Sequence, residues 1–174
     1  MGVRSYIWGR FSGQAVLAAL IACGLDQAHK YWMIHVFDMP HRGLVRLTPF
    51  FDLIMVWNRG ISYGLFQQHS AFGQTVLIVI SVVTVLALLV WIAQLSRRWA
   101  ALSLGLIIGG AMGNAIDRMV YGAVADFFSL HAYGYHWYVF NLADMAIVAG
   151  VALLMYETFM GRDGDSHKKA GNEP

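Results

Sequence analysis

Four apolar stretches punctuate the chain, and their lengths decide what they are. Thr75 to Gln94 runs for 20 residues without a charge, which is the length a helix needs to cross a hydrocarbon core. Ala100 to Ile116 is apolar and rich in glycine, and Phe140 to Phe159 is apolar apart from Asn141, Asp144 and Glu157. Phe11 to Leu25 offers only 15 uncharged residues. A helix carried on through Asp26 and Lys30 to Ile34 reaches spanning length, with Trp8 and Trp32 as interfacial anchors. The pattern predicts an all-α membrane protein of four transmembrane helices, near residues 11–34, 71–95, 99–117 and 140–160, in a single domain over 1–160.

The connections carry a second pattern. Leu44 to Trp57 is apolar but interrupted by Arg46, Pro49 and Asp52, and its β-branched and aromatic content suits short strands, a small interfacial β-platform. Arg118 to Tyr138 lies on the same side, too polar to span and too apolar for a free linker, and is expected as a surface loop. Residues 161–174 read as a disordered tail.

Composition agrees with a lipid-dissolved chain. Of 174 residues, 58% are hydrophobic and 13% charged, with mean hydropathy +0.54, more apolar surface than one water-soluble core hides. The formal charge is +2, but the twelve Lys and Arg are scattered among apolar runs, which argues against nucleic acid as a partner. Cys23 is the single cysteine, so an internal disulfide framework and a multi-Cys zinc site are excluded. Seven basic residues (Arg4, Arg10, Arg97, Arg98, Arg162, Lys168, Lys169) fall on one side of the spans, against five (Lys30, Arg42, Arg46, Arg59, Arg118) on the other. The excess predicts that both termini face the cytoplasm.

Polar residues within the spans require a reason, because an Asp at the centre of a membrane helix costs roughly 2.5 to 3.5 kcal/mol. Asp26 and Lys30 stand one helical turn apart and are spaced to pair. Gly105, Gly109 and Gly113 repeat every fourth residue, the spacing that lets membrane helices approach closely, and the stripe runs into Asp117. Gly110, Asn114 and Arg118 form a second row beside it. Asn141 and Asp144 open the fourth span, where an amide cap and an acid suit the helix N-terminus whatever else they do. Asp126, in Val124-Ala125-Asp126-Phe127, has apolar neighbours at the membrane surface, where desolvation should raise its pKa. Two acids that converge there could share one proton.

Other chemistries lack their signatures. There is no HExxH, and His131 and His136 do not share a helical face, so no metal site is expected. His29, His35, His41 and His69 read as interfacial residues. No G-x-S-x-G occurs, and a Ser-Lys dyad would have to join Lys30 to Ser62 or Ser129 without support from spacing.

Taken in order, LDQAHK with Asp26 and Lys30, NRGISYG with Asn58, Gly60 and Gly64, Gly113-Asn114-Ala115-Ile116-Asp117-Arg118, Val124-Ala125-Asp126-Phe127 and Phe140-Asn141-Leu142-Ala143-Asp144 resemble the lipoprotein signal peptidases (signal peptidase II). The resemblance implies a bacterial inner-membrane aspartic endopeptidase that cuts diacylglyceryl-modified prolipoproteins before the lipobox cysteine, without metal or cofactor. It implies Asp126 and Asp144 as the catalytic pair. Asn58, Gly60, Asn114, Arg118 and Asn141 would hold substrate, and Asp26, Lys30 and Asp117 would support the cleft. It also implies four helices with a β-platform and a loop over a site near the outer face, in a monomer sensitive to globomycin-type inhibitors. Tyr138 stands where the family often has Pro, and Ser62-Tyr63 replaces the commoner Ala-Phe. Two other readings compete: a small proton-coupled transporter or channel using intramembrane carboxylates, and a lipoprotein processed at the lipobox-like Leu20-Ile21-Ala22-Cys23.

Overall fold

The computed structural model describes residues 8–60 and 70–170, with side chains through residue 159. The departures at Ser62 and Tyr63, and Gly64 and His69, lie outside the described residues. Helix α1 (Ser12–Tyr31) widens into a π-helical turn (Trp32–Val36) and is followed by the short α2 (Met39–Arg42), β1 (Val45–Thr48) and β2 (Phe51–Asn58). Then come α3 (Ala71–Ala93), α4 (Arg98–Tyr121), β3 (Val124–Ala132), β4 (Tyr135–His136) and α5 (Leu142–Ala170).

Three helices, Ala71–Ala93, Arg98–Tyr121 and the Leu142–Phe159 part of α5, are long and apolar enough to cross a membrane. In α1, Asp26 and Lys30 interrupt the apolar run. The helix at the centre is α4: 56% of its most apolar window is buried, against 11% in α3 and in α5. Lipid cannot drive helices together by the hydrophobic effect, so close backbone approach has to do so. The glycine stripe supplies it. A Cβ on Gly109 would lie 2.7 Å from the Ala22 Cβ, and one on Gly113 would lie 2.5 Å from Asp26 Oδ2, so α1 runs parallel to α4 along small residues. The neighbouring row packs the other way, with Gly110 against Ala143 and Ile147, and Gly150 against Ile107, which seats α5 antiparallel to α4.

Most of the stretch expected as a surface loop is instead a strand pair, Val124–Ala132 and Tyr135–His136, in a four-stranded sheet. The strand order is β1-β2-β3-β4, and β2 and β3 are antiparallel with Asn58 opposite Val124 and Val56 opposite Asp126. Gly122, in the left-handed region at φ 68°, ends α4, a conformation that favours glycine, and turns the chain directly into β3. The sheet covers a cluster of Met33, Met39, Leu53, Ala125 and Phe127 over the end of α1. Phe128 and Phe140 exchange backbone hydrogen bonds of 2.9 and 3.0 Å, and this bridge fixes the entry to α5 alongside β3. The backbone of α5 continues to Ala170, through part of the stretch the sequence assigns to a tail.

Candidate active site

Every helix start leaves backbone N–H groups without helical partners, and at α5 those groups organise the site. Asn141 Oδ1 accepts from the Asp144 N–H at 2.9 Å, while Asp144 Oδ2 accepts from the Asn141 N–H at 3.3 Å, a reciprocal capping box. Ala143 N–H donates to Asp26 Oδ1 at 2.9 Å, so a carboxylate from α1 closes the same helix end. Capping is therefore present, and it leaves other atoms of these residues for further partners.

Those atoms reach Asp126. Asn141 Nδ2 donates to Asp126 Oδ1 at 2.6 Å, and Asn58 Nδ2 donates to Asp126 Oδ2 at 3.1 Å. The second contact follows from the register, because Asn58 and Asp126 are diagonal neighbours across β2 and β3. Asn114 Nδ2 donates to Asp144 Oδ1 at 2.9 Å, so both carboxylates hang on one amide network, with Asn141 bonded to each. Asp126 is 1% exposed. Burial first, and then the neighbouring Asp144, push the Asp126 pKa from its ordinary 3.8 up to about 7, against the opposing hydrogen bonds of Asn141 and Asn58.

Beneath the pair lies a second, charged layer. Lys30 Nζ donates to Asp26 Oδ2 at 2.8 Å, to Asp117 Oδ2 at 2.7 Å and to Asn114 Oδ1 at 3.2 Å, which uses all three ammonium hydrogens. Asp117 pairs with this lysine and not with the adjacent Arg118. Its Oδ2 also accepts the Ala125 N–H at 3.0 Å, tying α4 to β3 one residue from Asp126. Gln27, which the sequence reading passes over, extends the layer: Nε2 stands 2.9 Å from Asp117 Oδ1, 3.1 Å from the Gly113 carbonyl and 3.2 Å from Asp26 Oδ2. Its one visible signal is adjacency to Asp26 inside an apolar helix.

A cleft of about 370 Å³ opens beside this assembly and meets the acid pair at Asp144, with Asp126 buried behind its wall. Its polar end is lined by Asn58, Asn114, Arg118 and Asp144, and its apolar end by Leu77, Ile80, Ala111 and Ile147, with Tyr138 also on the wall. Arg118 bonds the carbonyls of Gly60 at 2.7 Å and Asn114 at 3.2 Å. Gly60 thus meets the cleft through Arg118, and Asn141, at 0% exposure, stands behind the carboxylates and not on the cleft wall. His131 and His136 lie apart from this cleft as a cross-strand pair with ring centroids 5.2 Å apart. Among the described residues no three His, Cys, Asp or Glu side chains gather as metal ligands. Cys23 of the lipobox-like segment is buried within α1.

An intramembrane helix bundle with an acid pair at one end and a small antiparallel sheet beside it defines a class. Two solved structures titled as bacterial membrane enzymes share this fold, with TM-scores of 0.75 and 0.72 at 24% identity. The first covers 87% of this chain and 91% of its own. The family model described as signal peptidase (SPase) II matches residues 18–160. A lipoprotein signal peptidase of Nitrobacter hamburgensis is 56% identical over 150 residues, covering 84% of this chain and 90% of that protein. One from Beijerinckia indica subsp. indica is 53% identical over 147 residues, covering 84% and 88%. The chain belongs to the signal peptidase II family.

Proposed function

We propose that the chain is a membrane aspartic endopeptidase that removes signal peptides from diacylglyceryl-modified prolipoproteins, cutting before the lipobox cysteine with Asp126 and Asp144 as its catalytic pair. The observation that carries this reading is the shared amide network: Asn141 bonds both carboxylates, at 2.6 Å to Asp126 and 3.3 Å to Asp144. Carboxylates held this way cannot both ionise cheaply, so they share a proton. Asp126, with its pKa near 7, carries that proton and polarises the scissile carbonyl. Asp144, at a helix N-terminus that favours negative charge, takes a proton from the attacking water. The resulting oxyanion and the peptide backbone meet donors from Asn58, Asn114 and Arg118.

The cleft supports a substrate that arrives from lipid. Its apolar end lies between α3 and the α4–α5 pair, so a signal helix anchored in the bilayer can approach sideways without crossing water. In this reading α1 is the fourth span, its two charges paired with each other and further satisfied by Asp117 of α4 and the Ala143 N–H of α5. Both termini are cytoplasmic, the site lies near the outer face of the bacterial inner membrane, and residues 1–160 act as one monomeric domain. The transporter reading is not favoured: Asp26, Asp117, Asp126 and Asp144 gather at one end of the bundle, and the curated relatives are peptidases. Incubating the purified protein with a diacylglyceryl-modified lipobox peptide and its unmodified twin tests the proposal. Cleavage immediately before the modified cysteine is expected; a protein that leaves both peptides intact, or cuts them equally, refutes it.

A further inference from the structure

At the end of the bundle opposite the acids, α1 and α4 enclose a second groove of about 370 Å³. The two helices run parallel, so residue number reads as depth. Gln14, Arg98 and Trp99 stand at the mouth, and Leu17, Ile21 and Leu102 line the groove below. From Gln14 to Ile21 a helix descends about 10 Å. The depression exists because Gly105 draws Ala15 and Ala18 into close contact, leaving the larger side chains as its banks.

The two arginines at the start of α4 face different partners. Arg97 pairs with Glu157 of α5 at 4.0 Å. Arg98 makes no ion pair among the described residues and lies over the Trp99 ring, 4.7 Å from its centroid. A basic, tryptophan-flanked mouth above an apolar trough is complementary to one molecule, an anionic phospholipid. In such a pairing the phosphate would meet Arg98, Trp99 would sit at the headgroup level, and one acyl chain would lie along Leu17, Ile21 and Leu102.

We propose that this groove is a binding site for an anionic phospholipid of the leaflet in which the Arg98 end of the bundle lies. The site joins α1 to α4, the two helices whose far ends carry Lys30 and Asp117, and is independent of the peptidase reading.

Native mass spectrometry of the purified protein with phosphatidylglycerol or phosphatidylcholine added tests the site directly. The wild type should retain phosphatidylglycerol about fivefold better, the discrimination one arginine gives at an anionic surface. Arg98→Gln should abolish the preference, and Leu17→Trp, which fills the trough from an exposed position, should weaken retention of both lipids. Arg46→Gln, on the sheet at the other end, is the control. Equal retention of the two lipids by the wild type, an undiminished preference in Arg98→Gln, or unchanged retention in Leu17→Trp overturns the site. So does full displacement of phosphatidylglycerol by inorganic phosphate, which would show a bare anion site without a lipid trough.

Discussion

Lys30 on α1 and Asp117 on α4 meet at 2.7 Å with side chains 3% and 0% exposed, and Asp26 shares the same ammonium at 2.8 Å. One cation is therefore shared between two buried carboxylates. Removing it in Lys30→Ala leaves both acids in a poor solvent for charge, which costs about 3–5 kcal/mol when a buried pair is broken. Thermal melting in detergent should show a large loss of stability, together with lost activity. A variant that melts like the wild type yet is inactive would place Lys30 in the chemistry.

Asp126→Asn and Asp144→Asn keep volume and most hydrogen bonds but remove the shared proton. Each should fold, retain globomycin and cleave a lipobox peptide about 10²- to 10⁴-fold more slowly. The double variant should be little worse than either, because the two act as a unit. Substantial turnover by either single variant, or a well-folded and substrate-binding Asp117→Asn with none, would overturn the assignment.

The Asp126 carboxyl makes stability depend on pH. Its folded pKa of about 7 lies above the ordinary 3.8, so between these values the folded state holds more protons than the unfolded one. Stability must then fall as pH rises from about 4 to 7 and level off above. Asp126→Asn should be more stable than the wild type at pH 8, and the difference should shrink towards pH 4.5, as read by melting temperature. In the wild type, kcat/KM should decline above pH 7 as the acid is lost. A gain in stability that is the same at both pH values rules this account out.

Gly113 and Gly24 make a paired test of the stripe. An added Cβ at Gly113 would fall 2.5 Å from Asp26 Oδ2, whereas at Gly24 it meets nothing within 4 Å. Gly113→Ala should cost about 1–3 kcal/mol through overpacking and weaken cleavage by displacing Asp26. Gly24→Ala should be neutral in both assays. Equal tolerance of the two would show that α1 and α4 are less tightly opposed than described.

Orientation is open to reporter fusions. Fusions at Gly161 and between Leu95 and Arg98 should report the cytoplasm, and one near Tyr133 the outside. An external C-terminus would reverse the whole assignment of faces.

What could be read from the sequence depended on distance along the chain. The Asp26–Lys30 pair and the Asn141–Asp144 cap are about one helical turn across, the glycine stripe repeats at about that interval, and their spacing announces them. The bond from Lys30 to Asn114 joins residues 84 apart, and that from Gln27 to Asp117 residues 90 apart, so only packing of α1 on α4 reveals them. The strand character of Val124–Ala132 was hidden for a related reason. Residues 124–129 are buried apart from a half-buried Phe128, so no alternation of polar and apolar positions marks the strand, and its partner β2 lies across an intervening pair of helices. His131 and His136, which share no helical face, become neighbours only through the hairpin.

The amide of Asn141 also makes the acid pair depend on the last helix. It reaches Asp126 because Phe140 is bridged to β3, and it holds Asp144 because α5 has begun to wind at that residue. A chain built only as far as β3 carries Asp126 but neither the second acid nor the clamp that aligns the two. On the proposed assignment, the acid pair is therefore completed only by the last helix to emerge.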